Sequence, residues 1–356
     1  MITSVAVYFS VYILSACLLK HAIEYKHSGQ WFLLLIALLM PCIFAAGRYN
    51  VGTDFENYNY MYLANKTLSF NDYLHNENKD VFAAFVFSKI GSVFNSFNIF
   101  LLLFSVFTYL PIVIRLNEME NISPRLMSFL FLLGPFTTSF NITKQMAAAS
   151  IIFFSFKYIY GKDLWKFLLC IGVGLCFHYT ALICIPIYFL WGKYENSNKV
   201  TFKMFLIISI YILAAVNVSR ILSFIGGRYG EYAAGNTLGM NLSFLLQVFW
   251  GVVYIVFAKK LCALNSKNKL LIVLYIIGII FGATGFYSTY IKRVAIYFTF
   301  PGFMLMGQLP NTFNDKDNEL IKFAVLIYSM SIFFLTFYVL KQSGIIPYHF
   351  RFRIGG

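Results

Sequence analysis

Long apolar runs separated by short polar connections follow one another along this chain. About 20 apolar residues cross a bilayer as one helix, and two shorter runs joined by only a few residues are interpreted as two tilted crossings or as a broken, re-entrant pair inside the protein. The runs lie at residues 2–19, 31–46, 97–114, 126–139, 146–160, 164–177, 179–191, 200–217, 241–258, 268–286, 293–308 and 320–340. A shorter, partly polar stretch at 82–96 predicts an interfacial or re-entrant helix. The pattern predicts an all-α, polytopic integral membrane protein with about 10–12 transmembrane helices.

The composition favours the same class. Hydrophobic residues make up 60% of the chain and charged residues only 12%, whereas soluble domains carry about 25% charged residues. The 356 residues leave no room for a separate soluble domain, so we expect one transmembrane domain over residues 1–356. The net charge of +14 would suggest nucleic acid in a soluble protein, but basic residues also gather in the cytoplasmic loops of membrane proteins. We therefore expect contact with the lipid bilayer and no nucleic-acid partner.

The distribution of lysine and arginine predicts the orientation of the helices. If every run crosses once, the basic connections at 20–30, 115–125, 157–166, 193–203, 259–269 and 309–322 lie on one side, which the positive-inside rule makes cytoplasmic. The opposite side then receives two larger loops, at about 47–80 and 218–240, and the C-terminal segment. It also receives six of the eight arginines, namely Arg48, Arg220, Arg228, Arg293, Arg351 and Arg353. Arginine grips phosphate bidentately, so its presence on this side suggests an anionic ligand there, although arginines at helix ends also reach lipid headgroups.

A polar block directly follows the second apolar run. It places Arg48, Tyr49, Asp54 and Tyr58 where a helix leaves the bilayer, in a chain that otherwise avoids charge. Asp54 lies in a Val-Gly-Thr-Asp-Phe turn, where a carboxylate can cap the next helix, pair with Arg48 or act on a substrate. The block therefore predicts a functional site, with the role of Asp54 left open.

Further polar groups fall on the same predicted side. Asn141, Lys144 and Gln145 begin a helix whose next turn is alanine-rich, so that a substrate or another helix can approach closely. His178 lies between two apolar half-spans, and ionisable residues inside a membrane are costly and often functional.

The loop at 226–232 and the start of a late apolar run add more cations. In the loop, Arg228 lies among glycines beside Tyr229 and Tyr232, and tyrosines stack on sugar rings or donate hydrogen bonds. Lys292 and Arg293 enter the late run on a side where adjacent cations oppose the positive-inside rule, so we interpret them as an anion site. The six cysteines lack metal-ligand spacing, and no metal or other cofactor is expected.

The motif Arg48-Tyr49-x-Val51-Gly52-Thr53-Asp54-Phe55-x-x-Tyr58 resembles the signature of the EpsG family, Wzy-like polymerases of bacterial exopolysaccharide and O-antigen. The resemblance extends to Asn141-x-x-Lys144-Gln145, where the family usually has arginine before the glutamine, and to His178, Arg228-Tyr229-x-x-Tyr232 and Arg293. It covers most of the chain and implies a fold similar to the GT-C-type glycosyltransferases that use lipid-linked sugars.

The resemblance implies a membrane glycosyltransferase in the bacterial inner membrane, with its active face towards the periplasm. Such an enzyme moves a growing glycan from undecaprenyl diphosphate to the non-reducing end of an incoming undecaprenyl-diphosphate-linked repeat unit. A flippase and a chain-length regulator of the same pathway are the further partners that it implies.

The chemistry of this transfer suggests roles for the candidate residues. The diphosphate leaving group gains negative charge as the glycosidic bond breaks, so fixed cations stabilise the transition state. The cations are Arg48, Lys144, Arg228, Lys292 and Arg293. The candidates for sugar contacts are Tyr49, Tyr58, Asn141, Gln145, Tyr229 and Tyr232. Asp54 and His178 are alternative general bases for the acceptor hydroxyl, and Arg48 joins them as a catalytic candidate.

Other polysaccharide-pathway membrane proteins share some of these features. A flippase for lipid-linked oligosaccharides has many spans, but transporters are typically built from repeat halves with polar groups at mid-membrane. An O-antigen ligase should have a larger periplasmic loop, and a modifying glycosyl or acetyl transferase shares the cationic face. An acetyltransferase also needs a donor entering from the cytoplasm, where no comparable cluster occurs.

Overall fold

The computed structural model describes residues 1–25, 29–76, 80–119, 122–191, 202–217, 220, 242–283 and 293–355. Nearly every apolar run of the sequence becomes helix, because a backbone in lipid must satisfy its own hydrogen bonds. The α-helices of the first part of the chain are α1 Ile2–Glu24, α2 Gln30–Ala46, α3 Phe55–Thr67, α4 Phe70–His75, α5 Phe82–Val93, α6 Phe97–Glu118, α7 Pro124–Phe131, α8 Thr143–Tyr160 and α9 Leu164–Phe177. The predicted interfacial or re-entrant helix at 82–96 corresponds to α5.

The second part of the chain is helical as well. Its α-helices are α10 Phe202–Val216, α11 Leu242–Val256, α12 Ala258–Leu264, α13 Asn268–Ala283, α14 Ile296–Thr299, α15 Gly302–Gln308 and α16 Asp315–Phe333. Two π-helical segments, Leu132–Phe136 and Phe334–Val339, extend α7 and α16, and Tyr179–Leu190 forms a 3₁₀-helix after α9. The described residues contain no β-strand beyond one isolated bridge, and the protein is an all-α, polytopic membrane protein.

Helix length and hydropathy identify the clearest spans within the described residues. Ile2–Glu24, Phe97–Glu118 and Asp315–Val339 are long and apolar enough to cross a membrane, and the pair α11 and α12, bent by 70°, is a fourth if it is one broken span. Shorter apolar helices of 10–17 residues accompany them. Helices shorter than the hydrocarbon core cross only where the bilayer thins, where flanking side chains reach the interface, or where the helices associate. The predicted count of about 10–12 crossings therefore stays a prediction.

The loop predicted at 47–80 differs from expectation because most of it is helical. Helices α3 and α4 occupy it, and α3 packs against α5. Ser69 caps α4 by accepting a hydrogen bond from the backbone N–H of Asp72 at 3.1 Å. The sequence of α3 is polar and aromatic without an apolar stripe, which is why the hydrophobic pattern did not predict a helix there.

The contacts divide the chain into two compact units. The first comprises Met1–Phe154, Leu169–Ala181 and Leu320–Gly356, and the second comprises Ser155–Leu168 and Leu182–Glu319. In the first, α1 packs on α2 and α7, and α2 packs on α6. Interhelical hydrogen bonds join them, such as Ser15 Oγ to the Ala37 carbonyl at 2.7 Å and Tyr109 Oη with Ser128 Oγ at 2.6 Å. Such bonds help to hold helices together where lipid supplies no partner.

The second unit is built around α13. This helix contacts α10, α11 and α14, and Phe281 stacks on Phe298 with ring centroids 5.3 Å apart. Asn268 and Gln308 exchange hydrogen bonds of 2.9 and 3.1 Å between their buried amides, so each satisfies the other in an apolar surrounding.

Candidate functional site

Three polar segments of the first unit contact one another at the end of α2. They are the turn Gly47–Asp54, the residues around the start of α8 from Ser139 to Gln145, and a tail segment from Ser343 to Arg353. The backbone N–H groups of Gly52 and Thr53 donate to the carbonyls of Gly344 and Ser343 at 2.8 and 3.2 Å. The block that the sequence singled out is therefore one side of a cluster built from distant parts of the chain.

The turn and the beginning of α3 are joined to the start of α8 by side chains that include Tyr58 and Asn141, both predicted as sugar contacts. Tyr58 Oη donates to the Asn141 carbonyl and accepts from the Thr143 N–H, both at 2.9 Å, and Thr53 Oγ1 donates to Asn141 Oδ1 at 3.3 Å. Gly52 has a φ of +95°, and a Cβ there would lie 2.8 Å from Asn141 Oδ1. Glycine is required because it alone tolerates both this dihedral and this approach.

The tail segment runs antiparallel to the turn. The Tyr49 N–H donates to the His349 carbonyl at 2.9 Å, and the Arg351 N–H donates to the Gly47 carbonyl at 2.6 Å. Asn141 also bonds the tail segment, since its Nδ2 donates to the Ser343 carbonyl at 3.1 Å. The turn and the tail segment are thus joined by backbone hydrogen bonds, whereas the start of α8 is joined to both through the side chains of Thr53, Tyr58 and Asn141.

Arg48 lies inside this cluster and is only 2% exposed. Its Nη1 donates to the Ala45 carbonyl at 2.6 Å, its Nη2 to Thr143 Oγ1 at 3.5 Å, and its guanidinium stacks 4.8 Å from the centroid of the Phe140 ring. Arg48 therefore connects α2 to the start of α8 and has no open surface of its own.

The charge of Arg48 is not balanced by a carboxylate in the part of the chain that the structure describes. It forms no ion pair there, and its Nε has no hydrogen-bond partner. Burial lowers the pKa of Arg48 to about 10, and nearby tyrosines, first among them Tyr58 and Tyr348, oppose that shift. The side chain stays protonated at neutral pH, so a buried positive charge lies behind the turn.

Asp54 is half-buried at the N-cap position of α3. Its carboxylate accepts no capping hydrogen bond and forms no ion pair with Arg48. The pKa of Tyr58 rises to about 12, mainly because its hydroxyl is buried and secondly because the negative charge of Asp54 lies nearby. Asp54 is thus close to the Tyr58 hydroxyl. Its carboxylate neither caps α3 nor pairs with Arg48, which are the two structural roles that the sequence suggested.

Lys144 is paired with an acidic residue. Its Nζ lies 3.1 Å from Asp80 Oδ1, with 22% of the Lys144 side chain and 27% of the Asp80 side chain exposed. Tyr73 Oη donates to the Asp80 carbonyl at 2.8 Å, which ties this pair to α4. Gln145, the next residue, is buried. The lysine reaches the surface of the cluster, but part of its charge is already balanced.

His178 occupies the break between α9 and the following 3₁₀-helix. It is half-buried, and its Nδ1 lies 2.6 Å from Thr180 Oγ1. Burial raises the pKa of Tyr73 to about 12, and the next contributions come from Tyr179 and then Asp80. The break after α9 therefore approaches the Asp80–Lys144 pair, on the same unit as Arg48.

The remaining predicted residues lie elsewhere or outside the described part of the chain. Arg293 is exposed in the second unit, where it begins the 3₁₀ turn Arg293–Ala295. Arg228, Tyr229, Tyr232 and Lys292 lie outside the described residues. Among the described residues, no group of three or more His, Cys, Asp and Glu could hold a metal ion.

Sequence reasoning missed the residues that lock the cluster together. Asn98, on α6, donates to the carbonyls of Ala46 and Arg351 at 2.7 and 3.1 Å and accepts from the Arg353 N–H at 2.9 Å. The only sequence signal was an amide at the start of an otherwise apolar run. The tail segment was placed on the same face, but its pairing with the turn uses backbone atoms and leaves no pattern in the sequence.

These features define a class: an all-α polytopic membrane protein whose polar site is assembled where helices end. The particular family follows from the comparison with known families, because the model of the EpsG family matches residues 31–350. The chain therefore belongs to the EpsG family, whose members are Wzy-like polysaccharide polymerases. No curated protein and no solved structure matches the chain.

Proposed function

We propose that this protein polymerises lipid-linked oligosaccharide repeat units. In the proposed reaction, a hydroxyl at the non-reducing end of one undecaprenyl-diphosphate-linked unit attacks the anomeric carbon of the glycan held by a second. The bond between that carbon and the diphosphate oxygen breaks, undecaprenyl diphosphate leaves, and the hydroxyl proton passes to a base or to water. The site would face the periplasm from the bacterial inner membrane.

The observation that carries the proposal is the uncompensated cation at the end of α2. Arg48 is buried, protonated and without an ion pair in the described part of the chain. Burying a charge in a membrane protein costs free energy, and such charges usually serve a ligand. Because a diphosphate gains negative charge as it leaves, a fixed positive field behind the turn would lower the barrier without having to reorganise.

The other candidates take roles that match their surroundings. Lys144 would exchange part of its contact with Asp80 for a phosphate oxygen, while Arg228, Lys292 and Arg293 remain proposed anion contacts. Tyr49 is exposed and available to a sugar ring, whereas Tyr58 and Asn141 are bonded to the cluster and would shape the sugar site indirectly. Gln145, Tyr229 and Tyr232 remain proposed sugar contacts.

Asp54 and His178 remain the two proposed bases. A general base needs hydrogen-bond reach to the acceptor hydroxyl and a free lone pair. The carboxylate of Asp54 is not used by the α3 cap. His178 has one nitrogen near Thr180 Oγ1, a contact that can fix the tautomer of its ring.

The proposed activity is tested by incubating purified protein with undecaprenyl-diphosphate-linked repeat units and separating the products by gel electrophoresis. We expect a ladder of lipid-linked polymers and release of undecaprenyl diphosphate in equal molar amount to the bonds formed. A flippase or a modifying transferase would leave single repeat units. Single units with fully folded protein and verified substrate would contradict the proposal.

The Lys144–Asp80 pair offers a separate test of ligand contact. Lys144→Gln is expected to reduce ladder formation at least tenfold, because a charge-assisted contact to phosphate is worth roughly 1.5–3 kcal/mol. The stability should fall by no more than about 1 kcal/mol, since the pair is partly exposed. The measurement combines the ladder assay with thermal unfolding in detergent.

The control is the exchanged pair, Lys144→Asp with Asp80→Lys. It restores an ion pair with the positions of the charges reversed, so we expect near-normal unfolding but no recovery of the ladder. Recovery of both stability and ladder would mean that the pair is only structural.

A further inference from the structure

An open groove lies on the surface of the cluster, beside the turn that follows α2. Its volume is about 590 Å³, and it is lined by Tyr49, Asn50, His349, Phe350, Arg351 and Arg353. Four of these residues come from the tail segment, whose two arginines the sequence placed on the same side as the site without giving them an individual role. The described lining contains two arginines and one histidine but no carboxylate.

The two arginines differ from Arg48 and Lys144 in being available. Arg351 is half-buried and Arg353 is exposed, and neither forms an ion pair in the described part of the chain. Arg351 is oriented by its stacking on Tyr49, with the guanidinium carbon 4.8 Å from the ring centroid. Their donors therefore remain open to an anion entering the groove.

The backbone that carries these arginines is held in place from both sides. The Arg351 N–H donates to the Gly47 carbonyl, and Asn98 bonds both the Arg351 carbonyl and the Arg353 N–H. Ser96 Oγ donates to the Arg353 carbonyl as well. Both arginines line the groove, so Arg351 and Arg353 form a pair of cations on a fixed support.

We propose that this groove is a second anion subsite, which binds the diphosphate of one lipid-linked repeat unit through Arg351 and Arg353. The assignment rests on the proposed function for the identity of the ligand. Two guanidinium groups on neighbouring positions match two phosphate groups, because each planar fork binds two oxygens of one phosphate. Tyr49, whose ring already stacks on Arg351, would lie against the adjoining sugar.

The location of the groove supports a division of labour with Arg48. The groove and Arg48 both lie at the turn that follows α2. Arg48 is buried, however, and does not line the groove. The tail arginines would hold an incoming diphosphate by direct contact, whereas the buried cation would act through its field. A reaction that joins two diphosphate-linked units needs two places for such groups, and the groove supplies a place outside the buried core.

The test measures binding to the purified full-length protein in detergent with farnesyl diphosphate as the probe. We expect the double variant Arg351→Gln with Arg353→Gln to bind the probe at least tenfold more weakly, since it loses the charge-assisted bonds of both guanidinium groups. Arg125→Gln is the control, because Arg125 is also exposed and its loss changes the net charge in the same direction. Equal binding by the double variant and wild type would overturn the proposal.

Two further arms separate the source of the anion and the two proposals. Inorganic pyrophosphate should compete with farnesyl diphosphate in the wild type, whereas farnesol should not; competition by phosphatidylglycerol vesicles alone would mean a lipid-headgroup site and would refute the diphosphate assignment. The ladder assay then distinguishes the groove proposal from the polymerase proposal. In this assay, the double variant should need at least tenfold more substrate for half-maximal rate. A wild-type ladder with an unchanged double variant refutes the groove alone, whereas diphosphate binding without any wild-type ladder refutes the polymerase alone.

Discussion

Arg48→Gln is expected to lower polymer formation by roughly 100-fold or more, the size of effect seen when one fixed group that stabilises transition-state charge is removed. The glutamine amide keeps some hydrogen-bonding capacity but loses the buried charge and the pair of donors that bind Ala45 through Nη1 and Thr143 through Nη2. The measurement is the ladder assay on purified protein, normalised to the folded fraction from thermal unfolding.

Arg115→Gln provides the matched control for Arg48. Arg115 is also buried, but it lies on α6 and is paired with Glu118 at 2.7 Å, away from the candidate site. We expect this variant to lose stability while the folded protein still forms a normal ladder. A normal ladder from folded Arg48→Gln, or an equal loss in both variants, would remove Arg48 from the reaction.

Gly52→Ala is expected to separate the turn from the start of α8 and to reduce the ladder at least tenfold. The substitution places a Cβ 2.8 Å from Asn141 Oδ1 and 3.1 Å from the Phe140 carbonyl oxygen, at a φ of +95°. A non-glycine residue in such a conformation costs about 1–2 kcal/mol before the clash is counted. Thermal unfolding and the ladder assay measure the two consequences separately.

Gly172→Ala is the control for the glycine substitution. Gly172 lies within α9, and a Cβ at this position would meet open space, so alanine should leave activity intact and stabilise the helix by up to about 1 kcal/mol. If Gly52→Ala and Gly172→Ala both behaved like the wild type, the close contact between the turn and α8 would not be needed for polymer formation.

Hydropathy predicted most helices because the membrane fixes their composition. The run at 31–46 became Gln30–Ala46, and the run at 97–114 became Phe97–Glu118, extended by one turn into polar residues. Prediction failed at α3, where helix formation depends on packing against α5 and not on an apolar face. The period of hydrophobic residues carries no information about such a helix.

The site was predicted in part because its residues are chemically unusual for a membrane chain. The polar block from Arg48 to Tyr58 and the residues Asn141 and Lys144 stood out as polar or charged at helix ends, and the structure brings them into one cluster. The burial of Arg48 could not be predicted, because it depends on Phe140 and Thr143 from another helix. The pairing of the tail segment depends on main-chain atoms, which every residue possesses.

The pairing of the turn with the tail segment also bears on how the protein matures. Tyr348 donates a hydrogen bond to the Phe44 carbonyl across a sequence separation of 304 residues, so closing this contact costs loop entropy that local helix formation does not recover. We expect the helices to insert first and the cluster to close last. A protein with an intermediate helix left uninserted would then carry the separate pieces of the site but no assembled groove. Such misinserted copies would therefore be inactive.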